Sequence, residues 1–162
     1  MIRVLEEHDT VGLAAYCETM HAMGSGYADI SAEVLQSLFS RYWRVRLYLA
    51  DLSDGQMACG IKGDRARPDK AHVIHLGIRT ASGAQVLDEA VEALRDIARD
   101  YAATYPDVRD FFGYANWLDG PGADLLFDKL AETPWITVEP RAGIRACYSA
   151  TVEAIADVLP SP

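Results

Sequence analysis

Apolar and polar positions alternate along this chain with two different periods, and the changes of period mark the elements. A short apolar run at residues 2–5 predicts a strand. Asp9 or Thr10 can cap a helix whose inward face is Leu13, Tyr16, Cys17 and Met20, spaced i, i+3, i+4 and i+7. Gly24-Ser25-Gly26 breaks that pattern. Ser31 can cap a second helix, with Val34, Leu35, Leu38, Phe39 and Tyr42 as its predicted inward face. From Val45 the period becomes two. Val45, Leu47 and Leu49 alternate with Arg46, Tyr48 and Ala50, a turn signal follows at Ser53-Asp54-Gly55, and Met57, Cys59 and Ile61 alternate beyond it. This is the pattern of a β-hairpin. After a polar loop with Pro68, residues 71–78 predict a strand with His72, Ile74, Leu76 and Ile78 on one face and Val73, His75 and Gly77 on the other.

The stretch 71–101 organises the rest. A strand rich in β-branched residues meets a small-residue turn and then a long amphipathic helix. Its apolar stripe is Leu87, Ala90, Leu94, Ile97, Ala98 and Tyr101, and Asp88, Glu89, Glu92, Arg95, Asp96, Arg99 and Asp100 fill the wet face. Residues 108–117 predict an interior strand, apolar on both faces around Phe111, Phe112 and Tyr114. A loop at 119–122, a short helix at 123–130 and strands at 135–139 and 144–151 follow, and the tail from Val152 can add a helical turn. The order β, α, α, β, β, β, α, β, α, β, β predicts one α/β domain over residues 1–151, a mixed sheet flanked by helices, with 152–162 as a short tail.

Composition narrows the function classes. At 162 residues, 50% apolar and 24% charged, the chain suits one globular domain. A net charge of −9 repels phosphate backbones, so no nucleic-acid partner is expected. The one crowding of positive charge, Arg41, Arg44 and Arg46, reads as a solvated strand start. Cys17, Cys59 and Cys147 form no C-x-x-C pair, the pattern of a reduced compartment. The first ten residues have no apolar core of signal-peptide length, and no window approaches the roughly 20 apolar residues of a membrane span. A cytoplasmic location follows as the expectation, in a host cell or in a virion assembled there if the chain is phage-encoded. His8, His21, His72 and His75 show no H-x-H or H-x-x-x-H spacing, so no metal site is expected.

Within the central stretch, Ser82 and Gly83 can place backbone N–H groups and a hydroxyl on an anion at the helix N-terminus, or simply cap the helix. His75 is the candidate general base, since an ordinary imidazole titrates near neutral pH. The competing reading is a strand histidine hydrogen-bonded in the core. Alternation sends His72 to the opposite face from His75, so the two cannot serve one site. Cys147 and Tyr148 alternate on the last strand, where either can reach a cleft or form its wall. Trp117 and Trp135 flank the short helix. The acidic helix face reads as solvated, with Glu92–Arg95 and Asp96–Arg99 as pairs along it.

The element order at this length resembles the GNAT fold of the Gcn5-related N-acetyltransferases. Local matches are the hairpin ADLSDGQMACGIKG, the strand AHVIHLGI with the helix VLDEAVEALRDIARDY, and the segment ANWLDGPGADLLFDKL. The resemblance implies a GNAT-like acyl-CoA N-acyltransferase fold. If acyl-CoA is bound, it implies contacts from Arg79, Ser82, Gly83, Ala84, Asn116 and Phe127, with His75 as base. Two parts depart from the family pattern. Its acyl-CoA loop carries an Arg or Gln, two residues, then Gly-x-Gly or Gly-x-Ala. Here Arg79-Thr80-Ala81-Ser82-Gly83-Ala84-Gln85 has one glycine, and Arg79 stands one residue too far away. The family's tyrosine on the short helix, which can protonate the leaving thiolate, is Phe127.

Ser82-Gly83 and the segment FFGYAN at 111–116 are also similar to the GNAT-like internal virion protein of T7-type phages, and the opening CETMHAMGSGYADIS is similar to the first helix and loop of phage-borne GNAT proteins. The eroded loop and missing tyrosine imply a non-catalytic structural or interaction component of a phage particle or its assembly. Such a component binds no cofactor and works through protein partners or self-association. The alternative is an acetyl-CoA-dependent N-acetyltransferase acting on a small amine or a protein lysine.

Overall fold

The computed structural model describes residues 1–81, 85–115 and 121–156. Strand β1 is Ile2–Leu5, followed by helices α1 (Thr10–His21) and α2 (Ala32–Arg41). Strands β2 (Trp43–Leu52), β3 (Gly55–Gly63) and β4 (Lys70–Thr80) come next, then α3 (Gln85–Thr104), β5 (Asp110–Ala115) and α4 (Pro121–Ala131). Strands β6 (Thr137–Glu139) and β7 (Ala146–Thr151) and helix α5 (Val152–Ala156) complete the described chain. The order of elements through residue 151 is the expected one.

Local chemistry sets the boundaries. The Asp9 carboxylate accepts from Gly12 N–H at the start of α1, and the Ser31 hydroxyl accepts from Val34 N–H at the start of α2. Each satisfies an N–H that the helix itself cannot. Gly55, at φ +157°, closes the β2–β3 hairpin.

Among the described residues the strands form one sheet in the order β1-β2-β3-β4-β5-β7-β6, with β4 and β5 parallel and the other pairs antiparallel. Alternation divides the core between two faces. Leu47, Leu49 and Ala58 pack with Leu13, Tyr16, Cys17, Met20, Leu35 and Leu38 beneath α1 and α2. Tyr48, Met57, Cys59, Ala71 and Ile78 pack on the other face against the α3 stripe, against Leu126, Phe127 and Leu130 of α4, and against Ile155 of α5. Burial of these apolar stripes is the main favourable contribution to folding.

Several expectations change. Helix α2 buries Leu35 and Leu38, with Phe39 partly buried beside them, while Val34 is exposed and so is Tyr42, which lies past the helix end in extended backbone. Strand β5 is interior to the sheet but not covered on both faces: Phe111 is buried and Tyr114 is 45% exposed. Residues 121–122 belong to α4 and not to a loop. Arg95 does pair with Glu92 at 2.6 Å, whereas the Arg99 guanidinium donates to the Ile155 carbonyl and so ties α3 to α5.

Candidate active site

Strands β4 and β5 are joined in register only at Lys70–Asp110, Ala71–Phe111 and His72–Phe112. Beyond that point β4 continues eight residues to Thr80 and β5 three to Ala115 without pairing. Gly113 marks the last close approach, for a Cβ there would lie 3.2 Å from the Val73 carbonyl oxygen. The sheet therefore opens into a cleft along the free edge of β4.

A β-bulge lies beside the opening. Gly60 is opposite His75 and Ile61 is opposite Val73, which leaves Ile74 as an extra residue on β4. The bulge breaks strict alternation. Ile74 packs with the α1–α2 cluster, His75 also faces α1, and Val73 and Leu76 pack on the α3 side. The predicted face assignment is corrected accordingly: Ile74 and His75 share a side, and Leu76 stands opposite Ile74. His72 is separated from His75 by place along the strand, stacking on Phe112 with ring centroids 4.7 Å apart.

The Tyr16 hydroxyl is hydrogen-bonded to Nδ1 of His75 at 3.0 Å. Gly60 leaves the room for this pair, since a Cβ there would stand 2.5 Å from the phenol oxygen. Burial pushes the His75 imidazole down to about 4, so it is neutral at pH 7. Tyr16 is fully buried, and desolvation holds its phenol well above the usual range.

The connection between α1 and α2 fills part of the cleft. Met23 is completely buried and joins the cluster on the α3 side, and its Sδ accepts from the Ile78 N–H of β4 at 3.3 Å. A thioether is a weak acceptor. Tyr27 lines the cavity behind the opening together with Val73, Leu76, Gly113 and Tyr148. The cavity measures about 90 Å³, and among the described residues no charged one lines it.

Helix α4 and strand β7 form the far wall. Phe127 is buried, with its ring 5.5 Å from that of Tyr148, and the Tyr148 hydroxyl approaches the Phe127 carbonyl at 3.5 Å. Burial raises the Tyr148 phenol above its ordinary range, with Arg145 opposing the shift. Arg145 holds α4 to β7 through Asp124 and through Asp128, the latter at 2.7 Å.

The structure brings Phe127 and Tyr148 to the cleft. Arg79 is exposed near the end of β4 and faces Glu18 of α1 at 3.7 Å. Ser82, Gly83, Ala84, Asn116 and Trp117 lie outside the described residues. Cys147 is on the other face of β7 from Tyr148, opposite Tyr114, and Trp135 lines the cavity. Among the described residues no three His, Cys, Asp or Glu side chains gather as a metal site, and no helix is long and apolar enough to cross a membrane. Met23 and Tyr27 were not legible as cleft residues. Their one sequence signal is their place beside Gly24-Ser25-Gly26.

No protein-family model matches the sequence, and no curated protein matches it. Solved structures do match in fold. Aminoglycoside 6'-acetyltransferase type Ii superposes with a TM-score of 0.63 at 15% identity, covering 100% of this chain and 99% of that one. A Desulfovibrio desulfuricans protein assigned to the GNAT family gives 0.63 at 14% identity, covering 94% and 98%. AAC(6')-Ib in complex with ribostamycin and coenzyme A gives 0.62 at 15% identity, covering 100% and 98%. With the mixed seven-stranded sheet, its parted β4 and β5 and these neighbours, the chain has the GNAT-like acyl-CoA N-acyltransferase fold.

Proposed function

We propose that this protein is an acyl-CoA-dependent N-acyltransferase. The observation that carries the reading is the opening between β4 and β5 past His72–Phe112, backed by an uncharged cavity. The acetyltransferases among its fold neighbours, several with coenzyme A or acetyl-CoA bound, support it.

The described residues fit the thioester arm of such a co-substrate. An arm laid along the free edge of β4 meets the Ile78 N–H, whose present acceptor is only a thioether, so an amide carbonyl replaces it with a stronger bond. The co-substrate supplies an activated acyl carbon, which an amine attacks with release of a thiolate. Tyr148 would give the departing sulfur its proton from Oη and recover one from water, because a phenol is protonated at neutral pH, burial raising it further, and Phe127 has no proton to give. His75 serves as a base through Nε2 only in the tautomer whose Nδ1–H donates to the Tyr16 oxygen, since the other tautomer already carries its proton on Nε2. Its low proton affinity confines that role to passing a proton on to water. The net charge of −9 favours cationic acceptors, a small amine or a protein lysine.

Titration calorimetry with acetyl-CoA, followed by thiol release with a panel of polyamines and lysine peptides, tests the reading. Micromolar binding and release of free thiol with at least one acceptor are expected. Absence of binding to any acyl-CoA overturns it.

A second reading keeps the fold and drops the chemistry: a non-catalytic component of a phage particle or its assembly, acting through protein partners or self-association. Phe127 in place of a proton donor, and a His75 already committed to Tyr16, favour it. Sedimentation showing stable self-association, together with no acyl-CoA binding, is its expected signature.

A further inference from the structure

The cavity behind the β4–β5 opening is closed on the α3 side by Leu94 and Ala98, by Leu130 of α4 and by Ile155 of α5. Its wall is mostly aromatic and aliphatic, with the hydroxyls of Tyr27, Tyr114, Tyr148 and Ser149 as polar groups, and among the described residues no charged side chain lines it. The phosphates and ribose of a coenzyme A thioester cannot enter such a space. Its two amides need partners for every N–H and C=O, which the free edge of β4 supplies better than the few hydroxyls of this lining do. The acyl group is the one part of that molecule with nothing polar to lose beyond the carbonyl. An empty apolar cavity of about 150 Å³ accommodates benzene, so by proportion the 90 Å³ here accommodates about four carbon atoms. An acetyl group leaves much of that volume unfilled.

Resting on the acyltransferase reading above, we infer that the co-substrate carries a short aliphatic acyl chain of about four carbons, seated in the cavity closed by Ala98 and Leu94, and not acetyl. Each methylene moved from water onto this lining favours binding about fourfold, until the cavity is full. Chain length is then read by the cavity floor. Ala98 has the smallest side chain among the α3 residues there, so it sets the depth.

Calorimetry on the full chain with coenzyme A, acetyl-, propionyl-, butyryl- and decanoyl-CoA tests this without knowledge of the acceptor. Dissociation constants should fall about fourfold per added methylene from acetyl to butyryl, roughly fifteenfold in all, with decanoyl-CoA weaker than butyryl-CoA. In Ala98→Leu the butyryl-to-acetyl ratio should collapse toward one. That ratio does not depend on the folded fraction, and Leu94→Phe reads the same wall from a second position. Acetyl-CoA binding as tightly as butyryl-CoA overturns the inference and leaves the acyltransferase reading standing. So does a ratio unchanged in both variants. Failure of coenzyme A and every thioester to bind overturns both.

Discussion

The Tyr16 hydroxyl and Nδ1 of His75, 3.0 Å apart, form the polar contact that joins α1 to the bulged part of β4. Tyr16 is fully buried in the cluster beneath α1 and α2, and Gly60 is the backbone position that leaves the pair space. A buried polar group is costly mainly when its partner is taken away. The pair therefore fixes the edge of the cleft more firmly than an isolated hydrogen bond would.

Tyr16→Phe should lower stability by about 1–3 kcal/mol, because it strands Nδ1 of His75 in a desolvated place. Urea unfolding measures this as a lower midpoint with an unchanged slope. A midpoint equal to that of the parent protein would show that the contact contributes nothing.

The low proton affinity of His75 makes stability depend on pH. In the unfolded chain its imidazole titrates near 6.5, and in the folded chain near 4. Between those values the unfolded state binds more protons, so stability is fully present above about pH 6.5 and is lost as the pH falls toward 4. The loss from this group is on the order of 3 kcal/mol. His75→Gln should flatten that part of the profile, and the difference between the two proteins across pH 4 to 7 isolates the histidine from the carboxylates. Parallel profiles would refute the assignment.

Two glycines should respond differently to alanine. At Gly55 a Cβ would lie 2.0 Å from the Arg79 carbonyl oxygen of β4, at φ +157°, so backbone itself must move and the start of β3 parts from the end of β4. At Gly60 the obstacle is the Tyr16 hydroxyl, which can shift only by loosening its bond to His75. Gly60→Ala should cost roughly 1–3 kcal/mol, the usual range for overpacking, and Gly55→Ala more. Thermal melts should rank parent, Gly60→Ala and Gly55→Ala in falling order. The reverse order of the two variants would mean that the β3–β4 pairing yields more easily than the core.

Tyr148→Phe tests the proton source in the acyltransferase reading. Turnover should fall on the order of 10²-fold while the KM for acyl-CoA stays within a small factor, because the ring and its packing on Phe127 remain. Equal turnover in the two proteins removes Tyr148 from the chemistry.

The amphipathic elements were readable from the chain because each carries its own period. The α3 stripe from Leu87 to Tyr101 and the alternation of Leu47 and Leu49 with Tyr48 and Ala50 repeat local geometry, and burial follows from it. Glu92 and Arg95 meet for the same reason, three residues apart on one helix. The order of these elements was enough to imply the fold.

What tertiary structure alone decided lies where two distant segments meet. Nothing in AHVIHLGI marks Ile74 as the extra residue. The bulge exists because β3 offers one fewer residue there, and it turns His75 toward Tyr16. Met23 and Tyr27 reach the cleft because β4 and β5 part beyond His72 and Phe112, a consequence of sheet geometry and not of any local pattern. The residue types were in the sequence from the start. Their pairing was not, because a contact between positions dozens of residues apart has no period to betray it.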